Sequence, residues 1–189
     1  DASGKMINCS SFEMTEIERN EIPDLRKKIG MVFQNFQLLT DRNVHDNLDF
    51  VLRATGWNNK IEREQRIREV LEEVGLPEKG KKMPYELSGG EQQCICIARA
   101  ILNKPAIILA DEATGNLDKE NSRKATSLLY QFSQAGATVI MSTHNEELLT
   151  EFPGIVYKCT DGFLKLEKNN KENIMPEDIE SESIDENIT

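Results

Sequence analysis

Cysteine is scarce in this 189-residue chain and poorly spaced for chemistry. There are four, Cys9, Cys94, Cys96 and Cys159, and none forms a CxxC pair. Cys94 and Cys96, two residues apart, cannot share one face of a helix. That spacing argues against a zinc site or a disulfide framework and points to a reduced, cytosolic setting. No apolar run approaches the roughly 20 residues that a membrane-spanning helix needs. No basic-then-apolar leader opens the chain, and there are no internal repeats. Positive charge is also short, with 23 Lys and Arg against 33 Asp and Glu, a net charge of −10. The basic footprint of a nucleic-acid binder is missing, so no nucleic-acid partner is expected. Work at a membrane would require a partner to hold the chain there.

The negative charge is uneven. Residues 167–189 carry eight acids and two lysines and no aromatic residue, which reads as a disordered acidic tail. The remainder is long enough for one good-sized domain with an inserted lobe. Hydrophobic residues make up 38% and charged residues 30%, enough for a packed core under a well-solvated surface.

The most informative stretch is Leu87-Ser88-Gly89-Gly90-Glu91-Gln92. Ser88 and Glu91 make a capping box for a helix whose apolar positions are Cys94, Ile95, Ile97, Ala98, Ile101 and Leu102. Gly89 and Gly90 weaken the first turn. One use for them is to let the exposed N–H groups of the helix start touch a phosphate; the other is an ordinary capped helix after a loop.

The opening Asp1-Ala2-Ser3-Gly4-Lys5 looks like the end of a phosphate loop, but Met6 stands where that loop needs Ser or Thr. A turn into a short strand, Lys5–Cys9, is expected instead. With no initiator methionine, the chain is expected to be the remainder of a longer protein. Thr15-Glu16-Ile17-Glu18 suggests a capped short helix, and Asp24–Lys28 a further helical turn. Ile29–Phe33 reads as a buried strand ending at Gln34, whose amide could hold a cation, position a water or be an ordinary loop group. Two apolar stripes follow, Val44/Leu48/Val51/Leu52 and Ile67/Val70/Leu71/Val74, each a helix. Arg63, Arg66, Glu69 and Glu72 are expected to form the solvated face of the second.

Ala106–Ala110, bounded by Pro105 and Asp111-Glu112, reads as a central parallel strand. Ligands of an open α/β sheet lie beyond the carboxyl ends of its strands. Asp111 could hold Mg²⁺ there and Glu112 orient and deprotonate a water; the plainer reading is two acids in a polar loop. Asp118 caps a helix expected over Lys119–Gln134. Thr138–Ser142 is a second buried strand, and His144 stands just past it, where an imidazole could bond a transferring phosphoryl group; the plainer reading is a structural or surface histidine. Ile155–Cys159 and Phe163–Leu166 read as a terminal hairpin.

In this order, Gln34, a helical lobe, Leu87–Glu91, Ile107–Glu112, Gly115–Asp118 and His144 resemble an ATP-binding-cassette (ABC) ATPase over about residues 1–166. The resemblance implies an α/β P-loop nucleoside-triphosphatase core with a parallel central sheet and an inserted helical subdomain. The core would comprise 1–36 and 88–166, the helical subdomain 37–87 and the tail 167–189. ATP and Mg²⁺ are the implied ligands. Gln34 would touch the metal and sense a membrane partner. Asp111 would be the magnesium acid, Glu112 the general base and His144 the γ-phosphate switch. Ser88, Gly89, Gly90 and Glu91 would bind nucleotide held by a second copy, with Asp118 at the interface of that head-to-tail homodimer. Ile29–Gln34 followed by Leu38–Val44 is most similar to the cell-division branch of the family. That branch implies an FtsX-like permease as the integral membrane partner and a peripheral position on the cytoplasmic side of the plasma membrane. Leu109–Asp118 is shared with lipoprotein-release and macrolide-export ATPases, which stand as alternatives beside a non-hydrolysing scaffold. The family's phosphate loop would lie before Asp1, so the chain alone is expected to bind ATP poorly. Cys94 stands where relatives usually carry arginine, which is expected to weaken contacts behind the Ser-Gly-Gly loop. Ala113 replaces a usual proline and Asn145 a usual aspartate.

Overall fold

The computed structural model describes residues 8–9, 12–13, 18–19, 21–160 and 162–169. The expected capped helix at Thr15–Glu18 and most of the acidic tail lie outside these residues. Two short strands, β1 (Asn8–Cys9) and β2 (Phe12–Glu13), pair antiparallel. Helix α1 (Ile22–Lys28) starts with Pro23 in its first turn, where the missing N–H is not needed. It runs directly into strand β3 (Ile29–Phe33).

Helices α2 (Val44–Ala54) and α3 (Lys60–Glu73) follow, capped by Asn43 and Asn59. Helix α4 (Gly89–Ile101) is the centre of the core. Gln93 to Ala98 are all buried, because α2, α3, β3 and α5 (Lys119–Gln134) pack around it. Strand β4 (Ile107–Asp111) lies between β3 and β5 (Thr138–Ser142), all three parallel. Gly30, Val32, Ile108 and Ala110 are buried on the face toward the helices. One continuous apolar core joins Val32 and Ile108 to Val44, Leu48, Leu52, Ile67 and Val70 of the helical stretch. Gly30 is required by a close approach: a Cβ there would lie 2.5 Å from the carbonyl oxygen of Ala100 in α4.

On the other face, Met31, Leu109 and Ile140 line up across the three strands. Among the described residues this row is uncovered, Ile140 being 58% exposed. Parallel sheets are ordinarily covered on both faces.

The charged face expected on α3 needs correction. Arg66 is only 5% exposed. Its guanidinium donates to the carbonyls of Ile101 (2.9 Å) and Leu102 (2.9 Å) at the end of α4, and also reaches Glu69 and Glu73. Arg63 is likewise drawn in, bonding Asp49 at 2.6 Å and the Trp57 carbonyl at 2.8 Å. The last carbonyls of a buried helix have no intrahelical donor, and α3 supplies one.

His45 ties α2 to α3, bonding Glu64 of α3 at 2.9 Å and its neighbour Asp46 at 3.2 Å. Burial pulls its pKa down, but those bonds and the two carboxylate charges outweigh it, so the imidazole titrates above its usual value. The charged ring therefore stabilises the fold fully below the usual imidazole pKa, and the contribution fades as pH rises through the raised one. Thermal melts across pH 6 to 8.5 should show the wild type losing about 1–2 °C relative to His45→Gln, the scale of a partly exposed pair. Parallel curves for the two proteins would remove His45 from the balance.

The described residues up to Glu146 form one compact unit, and those from Glu147 a second. A short helix, α6 (Glu146–Glu151), leads into the second. There, β6 (Ile155–Thr160) and β7 (Phe163–Asn169) make an antiparallel hairpin with an irregularity at Val156/Tyr157. Strand β7 continues to Asn169, three residues into the stretch expected as tail.

Candidate functional site

Parallel, in-register pairing brings Phe33, Asp111 and Ser142 to the same rim of the sheet. Ser142 organises that rim. Its hydroxyl donates to Asp111 Oδ1 at 2.8 Å and accepts the Glu112 backbone N–H at 2.9 Å. Glu112 has a φ of +45°, a left-handed conformation that costs a non-glycine residue roughly 1 kcal/mol or more. The Ser142 hydroxyl holds its N–H, and its carbonyl accepts the Gly115 N–H at 2.9 Å. Ala113 follows, so no proline ring restricts the turn.

This twist brings the Glu112 carboxylate to His144, whose Nδ1 lies 3.0 Å from Glu112 Oε2. A carboxylate only accepts, so Nδ1 carries the proton. To donate to a phosphoryl oxygen as well, the ring must carry both protons. The His144 side chain is 79% exposed and that of Glu112 is 31% exposed. The imidazole is thus the wet end of the pair and the carboxylate the sheltered one.

Gln34 sits across the rim from a tight turn at Gly115–Asp118. A Cβ on Gly115 would come 2.8 Å from Gln34 Nε2. Asn116 Nδ2 donates to the Gln34 carbonyl and to Asn35 Oδ1, each at 3.2 Å. Asp118 ends the turn as the cap of α5. Its carboxylate accepts Asn121 N at 2.9 Å and Asn121 Nδ2 at 2.7 Å, and these bonds hold its pKa below the usual carboxylate value.

The start of α4 packs beside that turn. Ser88 Oγ accepts the Glu91 N–H at 3.2 Å, and Glu91 Oε2 accepts the Ser88 N–H at 2.8 Å, completing the capping box. Lys79 holds the other Glu91 oxygen at 2.8 Å; the Lys79 contact and the Ser88 amide keep the acid's pKa low. The two glycines do different things. Gly90 is buried, and a Cβ there would lie 2.0 Å from Asn121 Oδ1, so this glycine is set by packing of α4 against α5. Gly89 is exposed, and a Cβ there would meet only ordinary contacts with Leu117 and Phe36 at 3.8–3.9 Å. Among the described residues, no group caps the Gly89 and Gly90 amides. Cys94 fills core space behind them as an apolar side chain, with burial pushing its thiol pKa up.

Asp111, Glu112 and His144 thus meet at one rim through Ser142, and Gln34 joins them through Gly115 and Asn116. Ser88–Gly90 lies apart, against Phe36, Leu117 and Asn121. The sequence reading missed Ser142, Asn116 and Asn121. Only the register that places Ser142 opposite Asp111 could have marked it. Among the described residues, no group of three or more His, Cys, Asp or Glu could hold a metal by itself. The exposed Asp111 carboxylate, oriented by the Ser142 hydroxyl, fits Mg²⁺, which keeps waters and phosphate oxygens in its shell.

The parallel sheet with helices packed against it is the α/β P-loop nucleoside-triphosphatase fold of the solved ATP-binding cassettes that this chain resembles. The ABC transporter family model matches residues 2–115. The chain is 43% identical over 163 residues to cell division ATP-binding protein FtsE of Escherichia coli K12, covering 86% of this chain and 72% of that protein. It is 42% identical to the Streptococcus pneumoniae D39 protein of that name over 76% of this chain, and spans only 62% of that relative's length. A dimeric ATP-binding cassette bound to ADP and Pi superposes with a TM-score of 0.72 at 31% identity, over 85% of this chain and 71% of that one. The chain belongs to the ABC transporter family.

Proposed function

We propose that this protein is the ATP-hydrolysing subunit of an ABC-type complex that works with a membrane permease in cell division. The observation that carries the reading is the bonded chain Asp111–Ser142–Glu112–His144 at the rim of a parallel sheet. FtsE relatives at about 40% identity support the cell-division assignment and an FtsX-like partner. Among the described residues, no helix is long and apolar enough to cross a membrane. Attachment at the cytoplasmic face therefore falls to the permease.

Each residue has a distinct task in this scheme. Asp111 and Gln34 would hold Mg²⁺, which neutralises charge on the phosphates. Glu112 orients the attacking water and takes its proton. His144 keeps the Glu112 carboxylate aimed through its Nδ1–H and offers the rest of its ring to the transferring phosphoryl group. Gly89 and Gly90 present bare amides to the phosphates of a nucleotide held by a second copy. Asp118 lies at that junction.

Since each site needs two copies, hydrolysis per subunit by the full-length protein should rise with protein concentration and stop when EDTA is added. Phosphate release at several concentrations, with and without the permease, reads this out. Absence of hydrolysis at every concentration with the permease present would defeat the enzymatic reading and leave a scaffold.

A further inference from the structure

Phe36 and Gln37, two and three residues past Gln34, both adopt left-handed backbone, with φ of +46° and +52°. Non-glycine residues rarely do so, and two in succession need outside support. That support comes from α4. Arg99 donates through Nη1 to the Gln37 carbonyl at 2.6 Å and through Nη2 to the Phe36 carbonyl at 2.9 Å. The Cys96 thiol, its pKa raised by burial, donates to the same Phe36 carbonyl at 3.0 Å. Gln37 N–H closes the turn on the Asn35 carbonyl. The Phe36 ring lies against Gly89, with its Cζ 3.9 Å from where a Cβ would be. One residue is thus bonded by its backbone to the last turns of α4 and stacked by its ring on the first.

The same helix holds an unsatisfied group. Gln93 is fully buried, and neither its Nε2 nor its Oε1 has a hydrogen-bond partner among the described residues. It stands four residues after Gly89 and three before Cys96, on the α4 face that meets loop 34–37. A carboxamide buried without partners is destabilising in this arrangement and would gain from one in which loop carbonyls or amides turn toward it.

We infer that Arg99 is a positioning residue: its two-pronged hold on Phe36 and Gln37 sets the loop that places Gln34, and Gln93 is the waiting partner of a second loop arrangement. Contact at Gly89 then reaches Gln34 through Phe36, beside the route through Leu117 and the turn that holds Asn116. This inference rests on the proposed hydrolysis, in which Gly89 and Gln34 serve different nucleotides.

The test uses the full-length protein and steady-state ATP hydrolysis. Arg99→Ala should lower kcat about tenfold while the KM for ATP stays within about twofold, because Gln34 acts on the reacting end and not on nucleotide binding. Arg99→Lys, which cannot bridge two carbonyls, should rescue only part of the loss. Glycine accepts left-handed φ without strain, so adding Gln37→Gly to Arg99→Ala should restore kcat to within about threefold of wild type. Hydrogen exchange of the segment 34–38 without nucleotide should speed up in Arg99→Ala, which loses both bonds to the loop. Unchanged kcat and unchanged exchange in Arg99→Ala would overturn the inference. So would a kcat loss that Gln37→Gly leaves in place. If wild type does not hydrolyse ATP, the proposed function has failed, and the exchange measurement alone decides whether Arg99 holds the loop.

Discussion

Glu112→Gln in the full-length protein should cut ATP turnover by roughly 10²–10⁴, the contribution of a positioned general base. The substitution is chosen for what it leaves alone. Glutamine has the shape of glutamate, and its Oε1 can still accept the His144 Nδ1–H now bonded to Glu112 at 3.0 Å. The backbone N–H stays on Ser142 Oγ, and the left-handed turn is unchanged. Only the basicity is lost. Binding of ATP, read by titration with a fluorescent nucleotide, should therefore remain within a few-fold of wild type. Turnover within threefold of wild type would remove Glu112 from the base role. A loss of turnover accompanied by a loss of binding would point to a structural role instead.

The second large effect is on stability. Arg66→Met keeps the length and packing of the side chain but removes every donor. The carbonyls of Ile101 and Leu102 would lose their partner in a buried setting, and Glu69 and Glu73 would lose their cation. Charge-assisted hydrogen bonds and buried unsatisfied groups of this kind put the loss at about 3 kcal/mol. For a chain of this size that lowers the melting temperature by roughly 6–12 °C. Glu69→Gln serves as the control, because the Glu69 side chain is 40% exposed and its pair with Arg66 is worth little. A thermal melt of Arg66→Met within about 2 °C of wild type would show that α4 does not depend on this cap.

Much of the frame was legible in the sequence. The helix expected over Lys119–Gln134 is α5 with the same ends, because Asp118 caps it and the glycine that follows stops it. The strands at Ile29–Phe33, Ala106–Ala110 and Thr138–Ser142 were legible as short apolar runs between breakers, and the strand-end rule then placed Asp111, Glu112 and His144 at one rim. Illegible features needed a tertiary partner to acquire meaning. Arg66 looks like any arginine on a polar helix face until α3 is laid against the end of α4. Nothing near Gly90 in the chain announces that Asn121 fills the space where a side chain would stand. Nothing local announces that Phe36, Gln37 and Glu112 hold left-handed backbone, since each depends on bonds from residues about 30 to 60 positions away.

The in-register alignment of Phe33, Asp111 and Ser142 also governs how such a chain can change length. Side chains alternate across a strand with a period of two. Deleting or inserting one residue early in β4 would exchange the parity of everything after it, turning Ala110 outward and driving the Asp111 carboxylate into the face now filled by Ile108 and Ala110. An even-numbered change would keep the parity but slide Asp111 two residues along Ser142's strand. The stretch between Gln37 and Leu87 meets no such parity rule, because helices and turns absorb single-residue changes at their ends. Viable insertions and deletions should therefore gather between the strands and be nearly absent inside them, an imprint that a library of random single-codon deletions would record directly.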